Sequence, residues 1–168
     1  MRIIPTLSLL LLGALAGRAH AAETTIPDAL VAAGEKAVLT LHAEGAQVYE
    51  CKTDKDGKLA WAFREPIATL FEGGKTIGRH YAGPSWEHQD GSIVGGRVQG
   101  TAVGATDNDI PWLKLEVVSH SGGNGIMSAI TTVQRINTSG GKLAGACDAA
   151  WQFRSVAYSA DYVFLRKE

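Results

Sequence analysis

The sequence predicts an all-β protein: a single-domain antiparallel sandwich or barrel of about eight or more short strands. Three observations lead there. Beyond residue 22 the apolar residues alternate with polar ones at period two, over segments of strand length. Gly-rich turns separate those segments at roughly ten-residue spacing. No stretch carries the apolar i, i+3, i+4, i+7 stripe that a packed helix needs. With no fixed-period repeat and no low-complexity linker, one domain accommodates the chain.

In chain order, residues 1–21 read as a secretory signal peptide. Met1-Arg2 supplies a positive start, residues 6–16 form an apolar run, and Ala19-His20-Ala21 offers small residues for cleavage after Ala21. The run is shorter than the roughly 20 residues that span a bilayer. The expected location is therefore secreted or periplasmic. Residues 22–45 read as a leader carrying Pro27 followed by a first strand around Val38 and Leu39, and residues 46–168 as the remainder of the domain.

A break is expected at Glu44-Gly45, and a second strand over residues 47–51. Asp54-Lys55-Asp56-Gly57 is a hairpin turn, because Gly accepts the positive φ such turns require. Leu59, Trp61 and Phe63 then alternate until Pro66 is expected to end the strand. Residues 67–71 form another run closed by Gly73-Gly74, and residues 75–81 lead into the central stretch. Asp90-Gly91 is a second turn, and residues 92–103 return as a strand interrupted by Gly95, Gly96 and Gly100, where bulges or close backbone approaches are expected. Leu113, Leu115 and Val117 alternate after Pro111. Residues 126–137 read as a strand with Ile126, Ile130 and Ile136 on one face. The last strand places Val156, Tyr158, Ala160, Tyr162 and Phe164 on one face. Such alternation fits a sheet with one buried side. Trp61 and Trp151 are assigned to the core.

Charge narrows the partners. Losing Arg2 and Arg18 with the signal lowers the net charge from −1 to −3. A mildly acidic chain without basic clusters argues against nucleic acid, whose phosphates attract Lys and Arg. No further apolar run is long enough for a membrane span. The two cysteines, Cys51 and Cys147, are expected to pair in an oxidising compartment. Closing so long a loop is worth on the order of 4–5 kcal/mol on a chain-entropy argument.

The candidate site is the segment between Gly78 and Gly100, where two His, a Tyr, a Trp, a Glu and an Asp are concentrated around Gly83-Pro84. As a binding surface, Tyr81 and Trp86, with Trp112, offer flat apolar faces beside His80, Glu87, His88, Gln89, Asp90 and Ser92. That combination suits a saccharide or small polar ligand. As an enzyme, His80 would be a general base with Glu87 or Asp90 as its carboxylate, although Ser92 lacks the Gly-x-Ser-x-Gly frame of a nucleophile elbow. As a metal site, His80 and His88 would combine with Glu87 or Asp90, with His42 and His120 converging in space; their eight-residue spacing matches no short ligand motif. As plain structure, Trp and Tyr fill a core and Asp90-Gly91 is a turn. No cofactor is predicted: there is no phosphate loop, dinucleotide fingerprint or His-Glu-x-x-His. Arg135 could grip a carboxylate bidentately, but in this setting reads as a surface ion pair of little energetic value. Asn137-Thr138-Ser139 is a glycosylation sequon.

Several separated motifs agree with one family. They are Tyr49-x-Cys51, the Trp61 strand, His80-Tyr81-Ala82-Gly83-Pro84-x-Trp86-Glu87, Asp90-Gly91-Ser92, Ile110-Pro111-Trp112-Leu113, Val133 to Gly141, Cys147, and Tyr158-x-Ala160-Asp161-Tyr162-x-Phe164. Together they resemble a family of small secreted bacterial and fungal proteins known only as a domain of unknown function. The resemblance runs from about Ala46 to Phe164. It implies a secreted single domain whose two cysteines belong to the pattern, and it brings no activity, cofactor or catalytic residue. One departure is the absence of a proline between Gly141 and Cys147. The expectation is thus a disulfide-closed all-β domain that binds a small polar or saccharide ligand at the cell envelope. An enzyme using His80, or a structural envelope protein, are the alternatives.

Overall fold

Alternation decides which face of each strand is buried, and the eight strands obey it closely enough to close on themselves. The computed structural model describes residues 24–168; the predicted signal segment lies outside the described residues. The strands are β1 (Glu35–Thr53), β2 (Leu59–Glu72), β3 (Lys75–Tyr81), β4 (Ser85–His88), β5 (Ile93–Ala102), β6 (Trp112–Ser121), β7 (Thr132–Gly140) and β8 (Phe153–Lys167). Each pairs antiparallel with its neighbours in sequence, and β8 returns to pair with β1. The result is a closed up-and-down barrel, which settles the choice between sandwich and barrel. Closure satisfies the edge hydrogen bonds that an open sheet exposes. With eight strands the interior is just wide enough for side chains or one small ligand.

Two expected breaks are absent, and one expected strand is divided. β1 runs 19 residues straight through Glu44-Gly45. Gly45 is needed for a different reason: a Cβ there would fall on Ile67 O and within 2.7 Å of Ala68 Cβ, so the residue lets β1 and β2 cross closely. The sequence boundary drawn at residues 45 and 46 is therefore interior to a strand. β2 likewise continues through Pro66, which pairs with Gln47. Pairing with β3 begins only at Ala68, so Pro66 lies where β2 has one partner and its missing N–H breaks no ladder. The segment expected as one strand over residues 126–137 divides into a 3-10 helix, Ile126–Ala129, and β7. In β5 the glycines do coincide with register shifts, between Gly95 and Gly96 and between Val98 and Gly100.

The inward face of β8, carrying Tyr158, Ala160, Tyr162 and Phe164, is fully buried, as are Leu39, Leu41 and Ala43 of β1 and Ala68 and Leu70 of β2. Met127 and Ile130 join this core from the 3-10 helix and the residue after it. A second 3-10 helix, Asp28–Leu30, lies on the outer face of β5–β7, where Gln134 Nε2 donates to Leu30 O at 2.7 Å and Lys114 Nζ to Val31 O at 2.9 Å. Cys51 and Cys147 form a disulfide with Cα atoms 5.9 Å apart. It anchors the β7–β8 crossover against β1 and β2, where Cys147 N donates to Leu59 O and Cys51 N to Gln152 O. Trp151, expected in the core, is 75% exposed on this crossover: its backbone, at φ 69°, serves the turn, and its N–H donates to Cys51 O. Among the described residues no helix is long and apolar enough to cross a membrane.

Candidate functional site

The core fills one half of the barrel. The other half holds a cavity of about 540 Å³, open at the end where β1, β2 and β7 meet the β3–β4 turn and the Ile110-Pro111 segment. Its floor is aromatic. His80 points inward from β3 and Trp86 from the paired position on β4; their rings stack with centroids 4.6 Å apart and planes 9° off parallel. Tyr162 meets both rings, at 4.9 Å from His80 and edge-on at 5.4 Å from Trp86. Gly96 makes room for this, because a Cβ there would lie 3.1 Å from Trp86 Cζ3 and 3.3 Å from Leu115 Cβ. The walls above carry Tyr49, Phe63, Pro66, Ala82, Pro84, Val98, Ile110 and Leu113. Phe63 and Val98, each about half exposed, form an apolar rim.

Polar groups enter this lumen at a few points. His80 Nδ1 lies 2.8 Å from Ser85 O. A carbonyl oxygen only accepts, so Nδ1 carries the proton and Nε2 is left as an acceptor. Burial, reinforced by the charge of Arg135, lowers the His80 pKa to about 3, so the ring is neutral at ordinary pH. Tyr49 donates its hydroxyl to Gly141 O at 2.8 Å. The Tyr158 and Tyr162 hydroxyls lie 3.4 Å apart, and burial pushes both phenols upward. Arg135 reaches in from β7 opposite Tyr162, and its Nε and Nη2 donate to Pro111 O at 3.1 and 2.8 Å. Gln47 Nε2 and Trp86 Nε1 are buried and, among the described residues, have no acceptor within hydrogen-bond distance.

The residues singled out by sequence fall into three places. His80 and Trp86 line the cavity together. Trp86 is 1% exposed, so it is a wall of the lumen and not a free stacking platform. Tyr81 and Glu87 lie on the outer face, where Arg79 donates to Glu87 at 3.0 and 2.7 Å and Tyr81 at 3.3 Å. His80 and Glu87 therefore occupy opposite faces of the sheet, which removes the geometry of an acid–base pair.

His88, Asp90 and Ser92 build the turn at the closed end. Asp90 accepts from the Ser92 N–H and hydroxyl at 2.9 and 2.6 Å and from Ile126 N at 2.8 Å. These donors, the Ser92 hydroxyl first, hold its carboxyl far below the usual range. Ser92 Oγ in turn accepts from Met127 N at 3.1 Å. This is a cap for the 3-10 helix, and both Asp90 and Ser92 are committed to it. His42 pairs with Asp161 at 2.9 Å on the outer surface, and His120 lies 2.8 Å from Ile130 O, so neither approaches His80. Among the described residues no three His, Cys, Asp or Glu side chains are grouped as a metal ion would require.

The matched family is described as a protein of unknown function (DUF3455), and its model covers residues 32–166. The chain belongs to that family. Neither a curated protein nor a solved structure matches it. What this DUF3455 chain can do is therefore read from the lumen itself. Sequence reasoning missed Gln47, Tyr49, Phe63 and Tyr162 as lining residues, and placed Arg135 in a surface ion pair that it does not make with any described residue. A signal existed: Arg135 shares parity with Val133, and Tyr162 with Phe164, so each lies on the inward face of its strand.

Proposed function

We propose that this protein binds a small, largely apolar molecule inside its barrel, acting outside the cytoplasm at the cell envelope. The observation that carries the reading is the lumen: a cavity of about 540 Å³ floored by His80, Trp86 and Tyr162 and rimmed by apolar side chains. Ligand pockets fall in the range of about 300–1,000 Å³ and combine apolar walls with few polar groups. Location outside the cytoplasm rests on the predicted signal segment, and the disulfide agrees with an oxidising compartment. The ligand class moves from the saccharide expected on sequence to an apolar body, because Trp86 faces a narrow lumen and Tyr81, Glu87, Asp90 and Ser92, expected beside it, bond to one another or to neighbouring groups away from that lumen.

Thermal unfolding of the mature protein against a panel of apolar and polar small molecules tests this. A molecule that binds only the folded state raises its stability by about 2.7 kcal/mol at a hundred times its Kd. The expected result is a rise with medium-chain alcohols such as 1-decanol and none with mono- or disaccharides. In Leu113→Trp, which fills the lumen from β6, the rise should disappear while the fold persists. A rise with saccharides alone, or an undiminished rise in Leu113→Trp, would place the ligand elsewhere.

A further inference from the structure

Resting on that reading, the polar groups of the lumen specify the ligand's head. We infer that the ligand is an apolar molecule bearing a carboxylate, with Arg135 as its anchor and the apolar body lying against Trp86 and Tyr162.

The first step is a charge inventory. None of the residues lining the cavity is acidic, and two are arginines, Arg64 and Arg135. The two differ in what answers their charge. Arg64 lies 3.3 Å from Glu50 and 3.1 Å from Glu65, so it is neutralised at the rim by the barrel itself. Arg135 has no carboxylate among the described residues. Two of its donors converge on the single carbonyl of Pro111, and Nη1 has no acceptor there. A guanidinium on an apolar wall, answered only by neutral groups, the Pro111 carbonyl and the Tyr162 hydroxyl, sets up a positive potential in a low-dielectric space.

The second step is independent of charge. Gln47 Nε2 and Trp86 Nε1 are N–H donors on side chains only 2% and 1% exposed, both line this cavity, and among the described residues neither has an acceptor within hydrogen-bond distance. Leaving a buried donor unmade is costly unless something else fills the role. An ionised carboxylate only accepts, offers about four lone-pair positions, and forms bidentate bonds with Arg. It answers the guanidinium and the neutral donors together. An amine would meet Arg135 with like charge, and an alcohol would meet it with half the acceptors and no charge.

The test is a titration of tryptophan fluorescence in the mature protein with three ligands of equal chain length: decanoate, 1-decanol and decylamine at pH 7.5. Decanoate should bind about tenfold or more tightly than decanol, the scale of a charge-assisted hydrogen bond, and decylamine most weakly. Arg135→Gln should collapse that preference, weakening decanoate about tenfold or more and decanol by clearly less. Arg135→Lys keeps the charge and loses the planar fork, so it should retain a reduced preference. Should Arg135→Gln fail to fold, the ranking in the wild-type protein and in Arg135→Lys still decides. Equal affinity for decanoate and decanol would overturn the anion anchor and leave lumen binding standing. Absence of binding by all three would overturn both.

Discussion

His80 shows how one side chain can be fixed by its surroundings into a single protonation state. Its ring is sealed between Trp86 and Tyr162 with Nδ1 held to Ser85 O, and burial lowers its pKa from 6.5 to about 3. A histidine depressed in this way is neutral when folded and takes up a proton when unfolded across the interval between those values. The unfolded state therefore binds more protons there, and stability falls as pH is lowered from 6.5, by at most about 1.4 kcal/mol per unit. Asp90 and the other depressed carboxyls add their own losses from about pH 5 downward, where the unfolded carboxyls begin to take up protons, and these are common to the wild type and a His80 variant. Urea unfolding at pH 6.5 and 4.5 should show a decrease of about 2–3 kcal/mol in the wild type. The decrease should be much smaller in His80→Asn, whose amide preserves the donor to Ser85 O. Identical decreases in both proteins would mean that His80 is not the titrating group. That His80 and Trp86 lie together was legible from their nearness in one short stretch. Their direction was not, since either face of β3 or β4 would have been consistent with the pattern. Tyr81 and Glu87 look equally functional in sequence and end up in an external cluster with Arg79.

At the level of the strand, glycine has two meanings that sequence does not separate. Gly57, Gly73 and Gly74 adopt positive φ in turns and were read correctly. Gly45 was read as a break, yet it sits mid-strand because β2 crosses too closely for any side chain. Gly45→Ala must force Ile67 and Ala68 away or bend β1, and a well-packed site resists such insertions at a cost of about 1–3 kcal/mol. The variant should lose that much in denaturant unfolding while retaining its strand content by circular dichroism. A neutral effect would show that the crossing is loose. Pro66 was misread for a related reason: proline ends a strand flanked on both sides but is tolerated where one side is unpaired. That information is in the topology and absent from residues 59–72 taken alone. The 3-10 helix at Ile126–Ala129 escaped notice because Ile126, Ile130 and Ile136 imitate a strand's even spacing.

Over the whole molecule, the barrel leaves one strand-to-strand connection that hydrogen bonds alone guard weakly. That connection is the passage from β7 to β8, residues 141–152, the longest link between successive strands, which crosses the end of the barrel where the lumen opens. The crossover meets β1 and β2 through a few backbone hydrogen bonds, including Trp61 N to Gly145 O and Trp151 N to Cys51 O, and through the disulfide. The bond joins residues 96 apart in sequence, so it closes a long loop in the unfolded chain. On the chain-entropy argument its removal costs about 4–5 kcal/mol. For a chain of this size about 1 kcal/mol moves Tm by 2–4 °C, so Cys51→Ser with Cys147→Ser should melt about 10–20 °C lower. The same crossover supplies Gly141, whose carbonyl receives the Tyr49 hydroxyl at the cavity wall. Loosening it should therefore also weaken binding of the proposed lumen ligand, even at temperatures where the barrel is folded. Measuring Tm and decanol affinity together separates the two consequences. A large Tm loss with unchanged affinity would make the disulfide a constraint on the unfolded chain alone, whereas loss of both would make the crossover a working wall of the binding site.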